Sequence, residues 1–283
     1  MSMRTLAESV AVITGAGSGI GRALAVAFSA RGADLALADL DDASLAATRA
    51  SLPSAGKVSL HRVDVAKLDE MTRLRDEVVR DHGRASILIN NAGVALYGAV
   101  EHVSFADLEW IMAINFWGAV YGCKLFLPLL RREAQANIVN ISSLFGIIAP
   151  PLQAGYSASK FALRGFSEAL RHELAAGSNV RLTVVHPGGI KTNISASTRR
   201  GAHADNAAFE RDTKAFARSL VMAPDRAAAL ITGAVLTDKP RLIIGRDAEF
   251  LEKLQRLFPA QYMKILTPLF NRRGPVARGG KAT

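Results

Sequence analysis

Tyr156 and Lys160 stand four residues apart, with Ser142 and Ser143 a short stretch before them. On a helix, residues at i and i+4 share one face, so a phenol and an ammonium would lie side by side. A neighbouring cation favours the phenolate, and the Tyr156 pKa is expected to fall from about 10 towards neutral pH. A tyrosine that gives and takes a proton in that range suits the interconversion of alcohol and ketone. Tyr-x-x-x-Lys recurs by chance, however, so the pair depends on the elements that would position it.

Those elements show as an alternation. Apolar runs at 10–14, 34–38, 58–63, 86–90, 137–141, 180–185 and 241–245 read as strands. Helical patterns read at 19–30, 42–51, 67–82, 104–130, 156–176 and 224–237. Continuously apolar strands separated by helices imply a parallel sheet covered on both faces. The series predicts an α/β fold: one doubly wound, seven-stranded parallel sheet, Rossmann-like, in a single domain. The expected division is a dinucleotide-binding and catalytic domain at 1–246, with a substrate loop at 193–223. A C-terminal helical extension at 247–273 and a flexible tail at 274–283 follow.

Composition narrows the setting. With 283 residues, 49% hydrophobic and 21% charged, the chain can bury a sizeable core. Its net charge of +10 comes from scattered Lys and Arg, which reads as solvated faces. No nucleic-acid motif accompanies the charge, so no nucleic-acid partner is expected. The single cysteine, Cys123, lies in an apolar run and is expected in the core; it excludes an intramolecular disulfide and a Cys-based zinc site. The six His lack ligand spacing, so no metal is expected. With no signal-peptide pattern before the first strand, a reducing, cytoplasmic location is expected. Trp110 to Leu130 is apolar and long enough to span a bilayer. It contains Asn115, Lys124 and Pro128 and sits inside the strand–helix series, so a buried packing helix is expected.

The turn Thr14-Gly15-Ala16-Gly17-Ser18-Gly19-Ile20-Gly21 directly follows the first strand and opens the first helix. Gly15 permits the tight turn, Gly19 lets backbone approach a pyrophosphate, and Gly21 lets the helix pack on the sheet. Ser18, Gly19 and Ile20 would offer the helix N-terminus to the phosphates. Asp39 ends the second strand, 24 residues after Gly15. Its carboxylate can accept from ribose hydroxyls and would repel a 2′-phosphate; neither Ser18 nor Leu40 is basic, so NAD(H) is expected ahead of NADP(H). Asp64 and Val65, ending the third strand, would meet the adenine. Asn91, Ala92 and Gly93 follow the fourth strand, at the sheet end where such folds bind ligands.

Taken in order, these motifs resemble the short-chain dehydrogenase/reductase family in its single-domain form. Thr14-Gly15-x-x-x-Gly19-x-Gly21, Asn90-Asn91-Ala92-Gly93, Asn115, Ser143 placed 13 residues before Tyr156, Tyr156-x-x-x-Lys160 and Pro187-Gly188-Gly189-Ile190-Lys191-Thr192 all fit its pattern, over roughly residues 8 to 192 and more loosely to about 245. The resemblance implies that Tyr156 exchanges the proton and Ser143 hydrogen-bonds the substrate oxygen. Lys160 would lower the Tyr156 pKa and bind the nicotinamide ribose, and Asn115 would hold a relay water. Pro187, Gly188, Ile190 through its backbone and Thr192 would pass the nicotinamide. It also implies a homodimer or homotetramer, built on the long helix around Asn115 and the helix of Tyr156.

The substrate side is less determined. Val94, Leu96 and Phe145, beside Ser143 and Tyr156, are mostly apolar, and the segment from Asn193 to Ala223 reads as a mobile lid. A small hydrophobic alcohol or ketone is the expected partner of an NAD(H)-dependent oxidoreductase. A 3-oxoacyl thioester, a sugar, and a non-catalytic dinucleotide sensor stand as alternatives. In the extension, Phe250, Leu251, Leu254, Leu257 and Phe258, then Tyr262, Met263, Ile265, Leu266, Leu269 and Phe270, recur at helical spacing. Packing on the domain or on a second subunit ranks first, a cover for the pocket second, and peripheral membrane contact last.

Overall fold

A computed structural model describes residues 5–53, 56–174 and 177–271, with the side chains of 268–271 left aside. The chain runs β1 (Val10–Thr14), α1 (Gly19–Ser29), β2 (Asp34–Asp39), α2 (Asp42–Ala50), β3 (Val58–Arg62), α3 (Leu68–His82) and β4 (Ile87–Asn90). It continues through β5 (Leu96–Tyr97), α4 (Phe105–Met112), α5 (Gly118–Leu130), β6 (Ala136–Ile141), α6 (Ala154–Leu174) and β7 (Val180–Pro187). Last come β8 (Arg199–Arg200), α7 (Asn206–Ser219), α8 (Pro224–Leu236), β9 (Arg241–Ile244), α9 (Arg246–Leu257) and α10 (Tyr262–Asn271). Seven strands form one sheet in the order β3-β2-β1-β4-β6-β7-β9, each pair parallel. The strand order reverses between β1 and β4, opening a crevice at the carboxyl ends.

Both faces of the sheet are covered, which is why its strands read as unbroken apolar runs. Leu24, Phe28, Leu35, Ile89 and Ile231 fill the layer beneath α1 and α8. Met71, Leu74, Phe126, Ile138 and Leu170 fill the layer beneath α3, α5 and α6. Local signals set the ends: Asp41 caps α2, Ser104 and Asp107 form a reciprocal capping box at α4, and Gly83 ends α3 with φ 74°.

Three features depart from the sequence reading. The helix expected over 104–130 is interrupted by a π-turn at Ala113–Trp117, which seats Asn115. Such turns admit one extra residue and shift the phase of all that follows. The helix has the length and apolarity of a bilayer span, yet Cys123, Phe126 and Leu130 are buried against the sheet. The segment 193–223, expected as a mobile loop, carries β8, which pairs with β5, and the helix α7, capped by Asp205. The helix expected at 156–176 begins at Ala154; positions 175–176 and the expected tail 274–283 lie outside the described residues.

A buried polar ladder joins the layers. The Asn90 amide donates to Asn140 Oδ1 (2.8 Å), and the Asn140 amide donates to Ser167 Oγ (2.9 Å). β4, β6 and α6 are thereby locked in register, and Asn90 cannot move cheaply. A Cβ at Gly122, on α5, would fall 2.3 Å from Asn90 Oδ1. Gly122→Ala is expected to lower stability by about 1–3 kcal/mol through overpacking, despite the better helix propensity of Ala. A urea midpoint equal to that of the natural chain would contradict this packing account.

Candidate active site

β6 ends where the candidate reactive groups begin. Ser142 Oγ donates to the Lys160 carbonyl (3.0 Å), and Lys160 Nζ donates to the Ile141 carbonyl (3.0 Å). These bonds pin α6 to the strand end. Tyr156 and Lys160 are both buried, with Nζ 5.9 Å from the phenol ring centroid. Ser143 Oγ accepts from the Phe145 amide (3.1 Å), and its hydroxyl is near enough to the Tyr156 phenol to lower its pKa. Ser142 therefore serves structure, and Ser143 faces the phenol.

The electrostatics correct one expectation. Burial raises the Tyr156 pKa, against a smaller lowering by the Ser143 hydroxyl, so it does not fall as the pairing with Lys160 implied. Removing a phenolate from water outweighs help from an ammonium that is turned to a backbone carbonyl. Burial also brings Lys160 down to about 8.

Asn115 ties two walls together. Its Oδ1 accepts from the Val94 amide (2.8 Å), while its Nδ2 donates to the Val94 carbonyl (2.9 Å) and Ser159 Oγ (3.0 Å). Both amide protons are thus engaged. A Cβ at Gly93 would lie 3.2 Å from Asn115 Oδ1 and 3.2 Å from Lys160 Nζ, so the three residues converge. Sequence reasoning missed His186, which is fully buried at the end of β7 with Nδ1 3.0 Å from the Ser143 carbonyl. Burial brings its pKa down to about 4, so the ring is neutral near pH 7 and the bond assigns the proton to Nδ1. No spacing rule marks a histidine inside an apolar strand.

At the other end of the crevice, Gly15 turns with φ 65°. A Cβ at Gly21 would strike the Gly15 carbonyl at 2.0 Å, so helix and turn touch backbone to backbone. Asp39 Oδ2 accepts from the Gly17 amide (2.8 Å), placing the carboxylate against the turn. Ser18 is the exposed N-cap of α1, and Ile20 packs on the core beneath it. The Asp64 carboxylate accepts from the Ala66 amide (3.0 Å), and Val65 lines the core.

Three residues expected at the cofactor, Asn91, Ala92 and Ile190, also bond internally. The Asn91 amide donates to the Thr14 and Gly15 carbonyls (3.0 Å each), and Thr14 Oγ1 accepts from the Ala92 amide (3.2 Å). Asn91 therefore braces the glycine turn with its side chain. The Ile190 amide, expected to face the nicotinamide, donates to the Gly188 carbonyl (3.0 Å), while the Gly188 amide donates to Ile244 (2.8 Å). Pro187 ends β7, and Thr192 reaches the glycine turn, 3.0 Å from a Cβ placed on Gly19.

Around the phenol the wall is apolar. Val94, Ala95, Leu96, Ile111, Phe145 and Ile194 form one cluster with Tyr156. The Phe145 ring meets Tyr156 at 6.0 Å and Phe216 of α7 at 6.3 Å. α7 is also held by Tyr97, whose Oη donates to Asp212 (2.7 Å) and whose ring meets Phe209 edge-on at 5.5 Å.

Fold and site together define an oxidoreductase of the doubly wound α/β type. Residues 9–203 match the family model described as short chain dehydrogenase, and the chain belongs to the short-chain dehydrogenase/reductase family. It is similar to SadH of Mycobacterium tuberculosis, a protein designated an oxidoreductase, at 42% identity over 267 residues, covering 93% of this chain and 96% of SadH. A short-chain dehydrogenase/reductase of Burkholderia phymatum, solved in complex with NAD, superposes with a TM-score of 0.83 at 28% identity, covering 98% and 100% of the two chains. A short-chain dehydrogenase of Streptomyces avermitilis superposes with a TM-score of 0.80 at 27% identity, covering 93% and 98%.

The neutral state of His186 has a stability consequence. Its folded pKa of about 4 lies below the unfolded value near 6.5, so the unfolded chain binds more protons in that window. This share of stability is complete above pH 6.5 and is lost as pH falls towards 4, by about 3 kcal/mol. Asn at 186 can keep an N–H near the Ser143 carbonyl without titrating. His186→Asn should therefore flatten the melting-temperature decline between pH 6.5 and 4; parallel pH profiles for the two proteins would refute the assignment.

Proposed function

We propose that the protein is an NAD(H)-dependent oxidoreductase interconverting a secondary alcohol and a ketone on a small hydrophobic substrate. The observation that carries this reading is the meeting of Ser143, Tyr156 and Lys160 beside an apolar wall, at the ligand end of a doubly wound sheet. A non-catalytic sensor would not need a phenol and an ammonium buried together at this point.

The residues fit a dinucleotide. The glycine turn brings backbone to the N-terminus of α1, a ready site for a pyrophosphate. Asp39 stands at the end of β2, where it can accept from ribose hydroxyls and disfavour a 2′-phosphate. Gly93 leaves open the space between Asn115 and Lys160 where a ribose would approach the ammonium. The NAD-complexed relative from B. phymatum supports the same choice. When bound, the nicotinamide supplies or accepts the hydride.

The chain's own residues handle the proton. With its pKa raised, Tyr156 rests as a phenol and can donate to the carbonyl oxygen during reduction. Ser143 donates a hydrogen bond to the same oxygen as charge develops there. Lys160 stabilises the phenolate left behind and passes a proton back towards it, by way of a water held near Asn115. Val94, Leu96 and Phe145 exclude bulk water and seat the apolar part of the substrate. A homodimer is proposed through α5 and α6, where Val120, Lys124, Leu127 and Phe166 line an apolar groove beside exposed Trp117 and Phe161. The lone Cys123, buried and pushed up to about 12, is compatible with the proposed reducing, cytoplasmic setting.

Tyr156→Phe should lower kcat about 10²–10⁴-fold while NADH still binds, read by stopped-flow absorbance and by cofactor fluorescence. Unchanged ketone reduction by that variant would end the proposal. Reduction in the natural chain should be level below pH 8 and decline above it as Lys160 loses its proton. Asp39→Ala should shift the preference towards NADPH by about tenfold, the equivalent of roughly 1.4 kcal/mol of relieved repulsion. A ratio of kcat/KM values that does not move would place cofactor choice elsewhere.

A further inference from the structure

The extension after β9 touches both sides of the reaction site. On one side, Tyr262 at the start of α10 accepts a hydrogen bond at Oη from the Ala149 amide (2.9 Å). Ala149 lies in the segment that leaves Ser143 and returns to Tyr156. Leu144, Ile147 and Ile148 of that segment are buried in one cluster with Ala248 of α9, and Ile243, Leu251 and Tyr262 pack against it. Phe145 belongs both to this cluster and to the one around Tyr156. The extension is thus packed on the segment that follows Ser143 and, through Phe145, on the apolar wall beside the phenol.

On the other side, Asp247 in the first turn of α9 accepts from the Gly189 amide at Oδ2 (3.3 Å). The same carboxylate closes on Gly188, where a Cβ would lie 2.8 Å from Oδ2. Gly188 and Gly189 belong to the strand-end segment that the proposed nicotinamide passes. Asp247 therefore braces the cofactor wall, as Tyr262 braces the serine wall.

The extension is fastened firmly enough to do both. Glu252 of α9 is buried and bonds Arg241 of β9 (2.9 Å) and Arg256 (2.6 Å). Ala248 is fully buried, and Leu266 of α10 nearly so. An ion pair withdrawn from water in this way is costly to break by removing one partner, so α9 is held to the edge strand of the sheet.

We infer that α9 and α10 form a clamp across the back of the site, with Tyr262 a positioning residue for the Ser143–Ala149 segment and Asp247 one for the Gly188–Gly189 segment. The two act on different ligands. Tyr262 governs the fit of the carbonyl substrate through Ser143 and Phe145, and Asp247 governs cofactor affinity through the glycine segment. The kinetic part of this inference rests on the proposed alcohol–ketone reading; the structural part does not.

The test uses the full chain with Tyr262→Phe, which keeps the ring and removes the hydroxyl, and Asp247→Ala. In Tyr262→Phe, amide hydrogen exchange over 144–150 should quicken, KM for a hydrophobic ketone should rise roughly fivefold, and the NADH Kd should stay put. In Asp247→Ala, the NADH Kd should rise by a similar factor while protection over 144–150 is kept. Combined with Ser143→Ala, Tyr262→Phe should cost little more than Ser143→Ala alone, since the two act through one unit. Unchanged exchange over 144–150 in Tyr262→Phe would overturn the clamp whatever the enzyme does. So would ketone KM and NADH Kd drifting together with melting temperature in both variants, the mark of general loosening. If the natural chain binds NADH and reduces no carbonyl compound, the alcohol–ketone reading fails instead, and the exchange data alone then uphold or overturn the clamp.

Discussion

A buried ammonium is the constraint from which the rest of the site follows. Lys160 lies inside the protein with its Nζ bonded to the Ile141 carbonyl. Charge removed from water must be answered locally or given up as a proton. Here both happen in part: the carbonyl takes one N–H, and burial brings the pKa down to about 8. The strand end must therefore lie under the helix, Ser142 must hold the helix backbone, and the phenol one turn earlier must sit over the crevice. Such a side chain costs stability, and in the proposed reaction it is the group that orients the chemistry, in line with the exchange of stability for function at active sites.

The sheet was legible because its signal is redundant. Val10–Thr14, Asp34–Asp39 and Ala136–Ile141 are apolar along their whole length, and only a doubly covered parallel sheet explains such runs together with the helices between them. The positions of Tyr156, Lys160 and Ser143 stood out by their spacing to one another, and Asp39 by its place at a strand end. The π-turn at Asn115 did not, since one inserted residue leaves apolar periodicity nearly intact over a long helix. His186 and the Asn90–Asn140–Ser167 ladder were hidden for the opposite reason. They are polar groups inside apolar runs, and their partners come from strands and helices far away in sequence. The pKa of Tyr156 shows the same limit: a neighbour can be inferred from spacing, but the depth of burial that opposes it cannot.

Much of the site's geometry is enforced by side chains that bond across it. Asn91 braces the glycine turn, Asn115 binds Val94 to the helix of the phenol, and His186 holds the Ser143 carbonyl. Each joins two chain segments separated by many residues, so the reactive atoms are placed by tertiary contacts rather than by any single loop. This is the support that the proposed proton transfer would need, because small displacements in such sites carry large rate penalties.

The two-residue ladder between β5 and β8 gives the substrate side a particular kinetic character. It joins the turn after β4 to the segment that leads into α7, and Arg199 adds a stack on Trp110 at 3.6 Å. A covering segment knitted into the body by main-chain bonds cannot swing aside on side-chain rotation alone. Displacing it would require the short parallel ribbon to peel, which has the character of a local unfolding event.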